Sequence, residues 1–260
     1  MHDTPASFAP LVPPAESPAS SGQWLRVQLY TSPAHDCSYL PNQEARLQLL
    51  APQNTVDTAI YAQLIEHGFR RSGLTVYRPH CKRCASCVPL RVPTATFTPT
   101  RSQRRAMQQH QALQVRLLPL AFQADHYALY QRYQQQRHGN GSAPPISEEE
   151  YHDFILASPV DSFLAEFRDA TGALKIVALS DCLPQALSAV YTFYAPEAGA
   201  SYGSYAILWQ LAQARRWGLP HLHLGYWVAG SAKMQYKARF RPCEVLLDER
   251  WQAMPAHGCR

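Results

Sequence analysis

Nowhere in the 260 residues does an uninterrupted apolar run approach the ~20 residues that a bilayer span requires, so no membrane partner is expected. The opening decapeptide MHDTPASFAP has neither a basic leader nor an apolar stretch, and the expected location is the cytoplasm. Acidic residues are missing from two long stretches. Phe69 to Arg105 holds no Asp or Glu but nine bases: Arg70, Arg71, Arg78, Lys82, Arg83, Arg91, Arg101, Arg104 and Arg105. Ala198 to Cys243 is again free of acid and carries Arg215, Arg216, Lys233, Lys237, Arg239 and Arg241. The acids gather between them, at Glu148, Glu149, Glu150, Asp153, Asp161, Glu166 and Asp169, so the net charge of +5 understates the local fields. Charge sorted in this way favours an anionic partner.

What is present suits a folded chain. A hydrophobic share of 46% is enough for a packed core, and the length allows one large domain or two modest ones. Residues 1–22, rich in Pro, Ala and Ser, read as a flexible tail. Helices are expected over Val56–His67, from about Ser102, over Tyr127–Arg137, after Ser147 (a capping box with Glu150) and over Tyr205–Trp217. Strands are expected at Trp24–Tyr30, Leu74–Tyr77, Leu90–Val92, Ala112–Leu118, Ser162–Arg168, Leu174–Ser180, Leu187–Tyr194, His221–Leu224 and Glu244–Arg250. A meander followed by helix, strand, basic segment and strand is an α+β pattern.

Three segments carry chemistry. In Cys81-Lys82-Arg83-Cys84-Ala85-Ser86-Cys87, two overlapping C-x2-C spacings can turn thiolates inward from one loop, and Cys37, His35 or His80 could complete a set of four. A structural zinc or an iron–sulfur cluster and ordinary buried thiols are both compatible with that spacing. In Arg101-Ser102-Gln103-Arg104-Arg105, three arginines at a helix start oppose its dipole, which an anion such as phosphate would relieve. A solvated basic face is the alternative. In Leu224-Gly225-Tyr226-Trp227, a strand runs into an aromatic-glycine loop and then the basic stretch Lys233–Arg241, where a helix would place Lys233, Lys237 and Arg241 on one stripe. Tyr226 and Trp227 could stack on an adenine or be core residues.

Together these segments resemble the bacterial aspartate/glutamate leucyltransferases, relatives of the eukaryotic arginyl-tRNA–protein transferases. Cys37-Ser38-Tyr39-Leu40-Pro41, Tyr133 with Arg137-His138, Ala189–Tyr194 and Gly203–Trp209 agree in order, so the resemblance runs from about Tyr30 to Trp251. It implies transfer of leucine from Leu-tRNA to proteins beginning with Asp or Glu, which marks them for degradation. It also implies an N-acetyltransferase-like fold, with residues 23–110 forming a Cys-rich basic region and residues 111–260 the transferase domain. The sequence departs from the family pattern at Asn140 and Ala195, where an acid often stands, which argues against a general base at either position.

The chemistry needs little. An aminoacyl ester is already activated, and an α-amine with a pKa of about 7.7–8.0 is partly neutral at pH 7, so no cofactor is required. His138 is the candidate for proton transfer, with Tyr194, Tyr226 and Tyr236 as oxyanion or amine contacts. Arg137, Lys233, Lys237 and Arg239 are candidates for holding the acceptor carboxylate. Arg78, Arg101, Arg104, Arg105, Trp227 and Arg241 are candidates for tRNA, and Cys37, Cys81, Cys84 and Cys87 for metal. An acyl-CoA acetyltransferase would need R/Q-x-x-G-x-G/A before the main helix, and Ala200–Tyr205 keeps only one glycine of it. A zinc-bearing RNA-binding protein would leave the C-terminal segment unexplained.

Overall fold

Strand β7 (Val88–Pro93) leaves the cysteine loop and enters the middle of the largest sheet, joining the N-terminal region to it. The computed structural model describes residues 26–138 and 146–255; the expected tail and the Gly139–Gly141 loop lie outside them. Before β7 come β1 (Leu29–Thr31), β2 (His35–Asp36), β3 (Glu44–Ala45), β4 (Leu47–Leu50), α1 (Thr58–Glu66), β5 (Arg70–Ser72) and β6 (Thr75–Pro79). After it come α2 (Arg101–Gln109), β8 (Gln114–Leu118), α3 (Ala124–His138), α4 (Glu148–Tyr151), β9 (Ser162–Arg168), β10 (Leu174–Leu183), β11 (Ala186–Tyr194), α5 (Tyr202–Arg216), β12 (His221–Trp227), β13 (Glu244–Leu247) and β14 (Arg250–Ala253).

Local chemistry sets several boundaries. Asp57 caps α1 through the Ile60 amide, and Thr100 with Gln103 forms a full capping box on α2. Ser147 and Glu150 make the expected box on α4, which widens into a π turn over His152–Leu156. Two expectations are corrected. Glu244–Arg250 is not one strand: Asp248 and Glu249 take positive φ and turn the chain into the β13–β14 hairpin. The basic stretch forms only a short 3-10 turn, Gln235–Arg239, in which Lys237 is buried while Lys233 and Arg241 are exposed. The three cations therefore share no stripe.

The main sheet has the order β14-β13-β7-β12-β11-β10-β9-β8, with α3 and α5 against β10 and β11. The smaller sheet, β1-β4-β6-β5, and α1 form a further layer with their own core around Tyr61, Leu64, Phe69 and Leu183. The larger core holds Phe167, Ile176, Phe193 and Leu222, each 0% exposed and each stabilising by about 1.5–3 kcal/mol. The layers are bolted by Arg71 of β5, whose guanidinium reaches Asp181 of β10 with Nε 3.0 Å from both carboxylate oxygens; neither side chain is exposed. The result is a mixed α+β architecture in three layers.

Candidate active site

Strands β11 and β12 run parallel but pair only through Ala186–Ser188 and His221–His223. Each then follows its other neighbour, β11 to Tyr194 opposite Ile176 and β12 to Trp227 opposite Val88. The sheet parts between them. A bulge marks each side of the split. Tyr191 faces Leu179 while Ala189 faces Ser180, leaving Val190 extra; His223 faces Arg91 while Gly225 faces Leu90, leaving Leu224 extra. Gly225 has φ 77°, a conformation that favours glycine, and a Cβ there would sit 3.4 Å from Nε of Arg70.

On the side of α3, a wall of phenols stands at the split. Tyr130, Tyr133, Gln134 and Arg137 recur at helical spacing and meet β11. Gln134 donates to the hydroxyls of Tyr130 (2.8 Å) and Tyr191 (3.3 Å), and Arg137 donates to the Tyr133 hydroxyl. The Tyr133 ring lies 4.9 Å from that of Tyr194 and 6.4 Å from that of Tyr191. Gly203 in the first turn of α5 permits this, since a Cβ there would come within 3.2 Å of the Tyr194 ring. Burial, with Tyr130 beside it, pushes the Tyr191 phenol up to about 12. Burial likewise raises Tyr133 and Tyr236, so these three hydroxyls stay protonated and can donate at neutral pH. Burial pulls Arg137 down, but the phenols of Tyr133, Tyr194 and Tyr191 outweigh it and hold the guanidinium above its ordinary value. Among the described residues, its partners are tyrosines.

On the opposite side lie two buried cations. Arg70 donates to Ser188 Oγ (3.2 Å) and to the Ala189 carbonyl (2.7 Å), standing where β12 has left β11. Lys237 donates to the Tyr226 carbonyl at 2.8 Å, and burial, then Arg70, pushes its ammonium down to about 7. Among the described residues, no carboxylate lies within ion-pair distance of Arg70, Lys237 or Arg137.

The cysteine loop folds beside this region. Cys37, Cys81, Cys84 and Cys87 line one cavity of about 660 Å³ together with Tyr39, Tyr77 and Tyr226. Burial, then the thiols of Cys37, Cys81 and Cys84, push the Cys87 thiol up to about 12. Four soft donors around one space suit a zinc ion or an iron–sulfur cluster. Among the described residues, however, no three His, Cys, Asp or Glu side chains are already drawn into metal-holding geometry.

The structure sorts the other candidates. Tyr194 and Tyr236 join Arg137 on the phenol wall. The Tyr226 hydroxyl donates to the Gly68 carbonyl at 2.7 Å, so it is already committed rather than free to contact the reacting groups. Trp227 is 6% exposed within the main core and offers no face for stacking, a correction. His138 is the last described residue of α3. Lys233 and Arg239 are exposed. Arg101, Arg104 and Arg105 lie exposed on α2, whereas Arg78 is held over the Phe69 ring at 4.7 Å and Arg241 reaches the carbonyls of Met254 and Pro255. Of the nine bases between Phe69 and Arg105, Arg70 and Arg71 are buried and Arg91 is paired with Glu66 and Glu244. The sequence pointed to a helix over Tyr127–Arg137 and to Tyr133 with Arg137 on it. It carried no signal for Arg70 as part of the split.

Residues 35–105 match the family model described as arginine-tRNA-protein transferase, N terminus, and residues 125–247 match that of its C terminus. The aspartate/glutamate leucyltransferase of Chromobacterium violaceum is 48% identical over 236 residues, covering 90% of this chain and 97% of that protein. The enzyme of the same name from Polynucleobacter asymbioticus is 46% identical, covering 88% and 94%. The one from Pseudomonas aeruginosa is 44% identical, covering 88% and 97%. Among solved structures, FemX superimposes with a TM-score of 0.48 at 8% identity, covering 84% of this chain and 86% of that one.

Proposed function

The chain belongs to the arginine-tRNA-protein transferase family, and on that footing we propose that it is an aspartate/glutamate leucyltransferase. It moves leucine from Leu-tRNA to the N-terminal Asp or Glu of cytoplasmic proteins, so marking them for degradation. The observation that carries this is 48% identity across nearly the whole length of a relative of that name.

The chemistry fits the split between β11 and β12. An antiparallel meander, then α5, then a parallel strand that parts from the meander after a bulge supports an N-acetyltransferase-like core. Past Ser188, β11 has no strand among the described residues opposite it on the β12 side, so backbone N–H groups there can meet an oxyanion. Arg137, with protonated tyrosines and no acid beside it, suits the carboxylate of an acceptor Asp or Glu. Lys233 and Arg239, exposed nearby in sequence, are candidates for the same role, and Tyr194 and Tyr236 for contacts to the reacting groups. His138, at the end of α3, remains a candidate for proton transfer. Arg101, Arg104 and Arg105 of α2 would meet tRNA phosphates, with Arg78 and Arg241 as further contacts. Cys37, Cys81, Cys84 and Cys87 would hold a zinc ion or iron–sulfur cluster, which when bound cross-links the Cys37 loop to the loop before β7. No step of acyl transfer runs through it.

Acyl-CoA is disfavoured because the Tyr194 ring packs against Gly203, crowding the helix start where such folds hold pyrophosphate. The test is transfer of labelled leucine from Leu-tRNA to Glu-, Asp- and Gln-initiated peptides, beside labelled acetyl-CoA. Transfer to the first two peptides alone is expected. Acetyl transfer without leucyl transfer would refute the assignment.

A further inference from the structure

We infer that Lys237 is the proton carrier of the transfer step, an inference that rests on the proposed aminoacyl-tRNA chemistry. Lys237 is buried at the split, yet its amino group makes one hydrogen bond, to the Tyr226 carbonyl at 2.8 Å. A buried lysine without an acid is costly and marks a functional site when it faces one. The neighbouring residue in the same short turn, Tyr236, feels Arg137 and Tyr194 on the phenol wall, while Lys237 itself faces Tyr226 and Arg70. Two consecutive side chains thus reach one toward the phenol wall and the other toward Arg70.

The charged environment suits a neutral amine. Arg70 of β5 faces Lys237 and repels its ammonium form. Around Arg70 and Tyr226 stand Tyr61 of α1, Tyr77 of β6 and Cys87 before β7. Burial raises Tyr61, Tyr77 and Tyr226, so none of these phenols is anionic at neutral pH. The further charges near the cluster, Asp181 with Arg71 and Glu66 with Arg91 and His223, are paired with one another. Arg70 is the charge that acts on Lys237, and its sign keeps the lysine ready to accept a proton. A lysine placed to bind a carboxylate would want the opposite surroundings.

The acceptor's α-ammonium loses one proton to solvent, as a pKa of about 7.7–8.0 allows. The free amine then attacks the ester carbonyl, forming the C–N bond while the carbonyl electron pair moves onto oxygen. The nitrogen of that intermediate is positively charged, and neutral Lys237 takes one of its protons. As the oxyanion reforms the carbonyl and the C–O bond to ribose breaks, the lysyl ammonium returns that proton to the departing ribose oxygen. The products are a peptide bond, a free tRNA hydroxyl and Lys237 in its starting state.

The experiment is single-turnover transfer from pre-bound Leu-tRNA to saturating Glu-initiated peptide, followed against pH. Lys237→Met should slow transfer by roughly 10²–10⁴-fold, the span of general acid–base catalysis, with Leu-tRNA affinity unchanged. Lys237→Arg keeps the charge but cannot give up a proton, and should be as slow. Propylamine should restore part of the rate to Lys237→Ala, because it supplies the missing base. In the unaltered protein, an isotope label on the lysine side chains should show one titrating near 7 rather than near the free value of about 10.4. Transfer by Lys237→Met within threefold of the parent, an active Lys237→Arg, or no lysine titrating below 9 would each overturn the inference while leaving the leucyltransferase assignment standing. An unaltered protein inert towards Leu-tRNA would overturn both.

Discussion

Removing Asp181 should leave the protein folded at low temperature but strip much of its stability. Its carboxylate is fully buried and receives Arg71 Nε at 3.0 Å on each oxygen, together with the Ser162 hydroxyl at 2.8 Å. Arg71 cannot swing into water, because its other nitrogens hold the Gly73 carbonyl at 3.1 Å and Ser162 Oγ at 3.1 Å. Asp181→Ala therefore strands a guanidinium in the interior, a change that costs about 3–5 kcal/mol. At roughly 2–4 °C per kcal/mol for a chain of this size, Tm should fall by roughly 6–20 °C. Urea melts should show a lower midpoint at unchanged slope, the mark of lost stability rather than altered compactness. Replacing both partners, Arg71→Met with Asp181→Leu, should recover most of the loss, since a matched apolar pair has no charge to desolvate. A single variant within about 1 kcal/mol of the parent, or a double variant worse than the single, would refute this account of the bolt.

Arg137→Met should lower kcat/KM for Glu-initiated peptide by roughly 10–150-fold, from the ~1.5–3 kcal/mol of a charge-assisted bond, and should erase the preference for Glu over Gln; a retained preference places the carboxylate elsewhere. Neutralising Arg104 and Arg105 together should flatten the salt dependence of tRNA binding by roughly one unit of log–log slope per lost contact, whereas an unchanged slope returns them to solvent. Glu166 gives the acid limb of stability. Burial would raise its carboxyl, but hydrogen bonds from Arg168, His126 and Arg116 hold it at about 2 against an ordinary 4.5. The folded form is thus the stronger acid, so its stabilisation is complete above about 4.5 and drains away as pH falls towards 2. Glu166→Gln should be less stable at pH 7 and lack that part of the acid transition; parallel pH–stability curves for the two proteins would refute it.

How far these sites were legible in the sequence depended on the range of the interactions. Ser147 with Glu150 and the strands Ser162–Arg168 and Leu187–Tyr194 were readable because capping, apolar runs and the turns that bound them act within a few residues. The fates of Arg70, Arg71 and Arg91 were not. Arg70-Arg71 is an arginine pair like the exposed Arg104-Arg105, and only partners more than 100 positions away, Ser188 for Arg70 and Asp181 for Arg71, draw it inside; Arg91 is held by Glu66 and Glu244. The phenol wall was half legible: the expected helix Tyr127–Arg137 carries Tyr130, Tyr133 and Arg137, but nothing local tied them to Tyr191. The parting of β11 from β12 is a property of two strands and their other neighbours, and no single stretch encodes it.

The placement of β7 has a consequence for how the molecule comes into being. Its ladder partners are His221–Trp227 on one side and Glu244–Val245 on the other, so every hydrogen bond it makes in the main sheet reaches forward along the chain by more than 100 residues. At ribosomal speeds of roughly 5–20 residues per second, β7 emerges on the order of ten seconds before its first partner exists. Through that interval the newborn N-terminal half carries the strand Val88–Pro93 with both edges open, and a chaperone or the small sheet must shelter it. Closing such distant contacts also makes folding slow for a chain of this length. Ribosome pausing within α5 would lengthen that exposure, so synonymous codon changes there are expected to alter yield without altering a single residue.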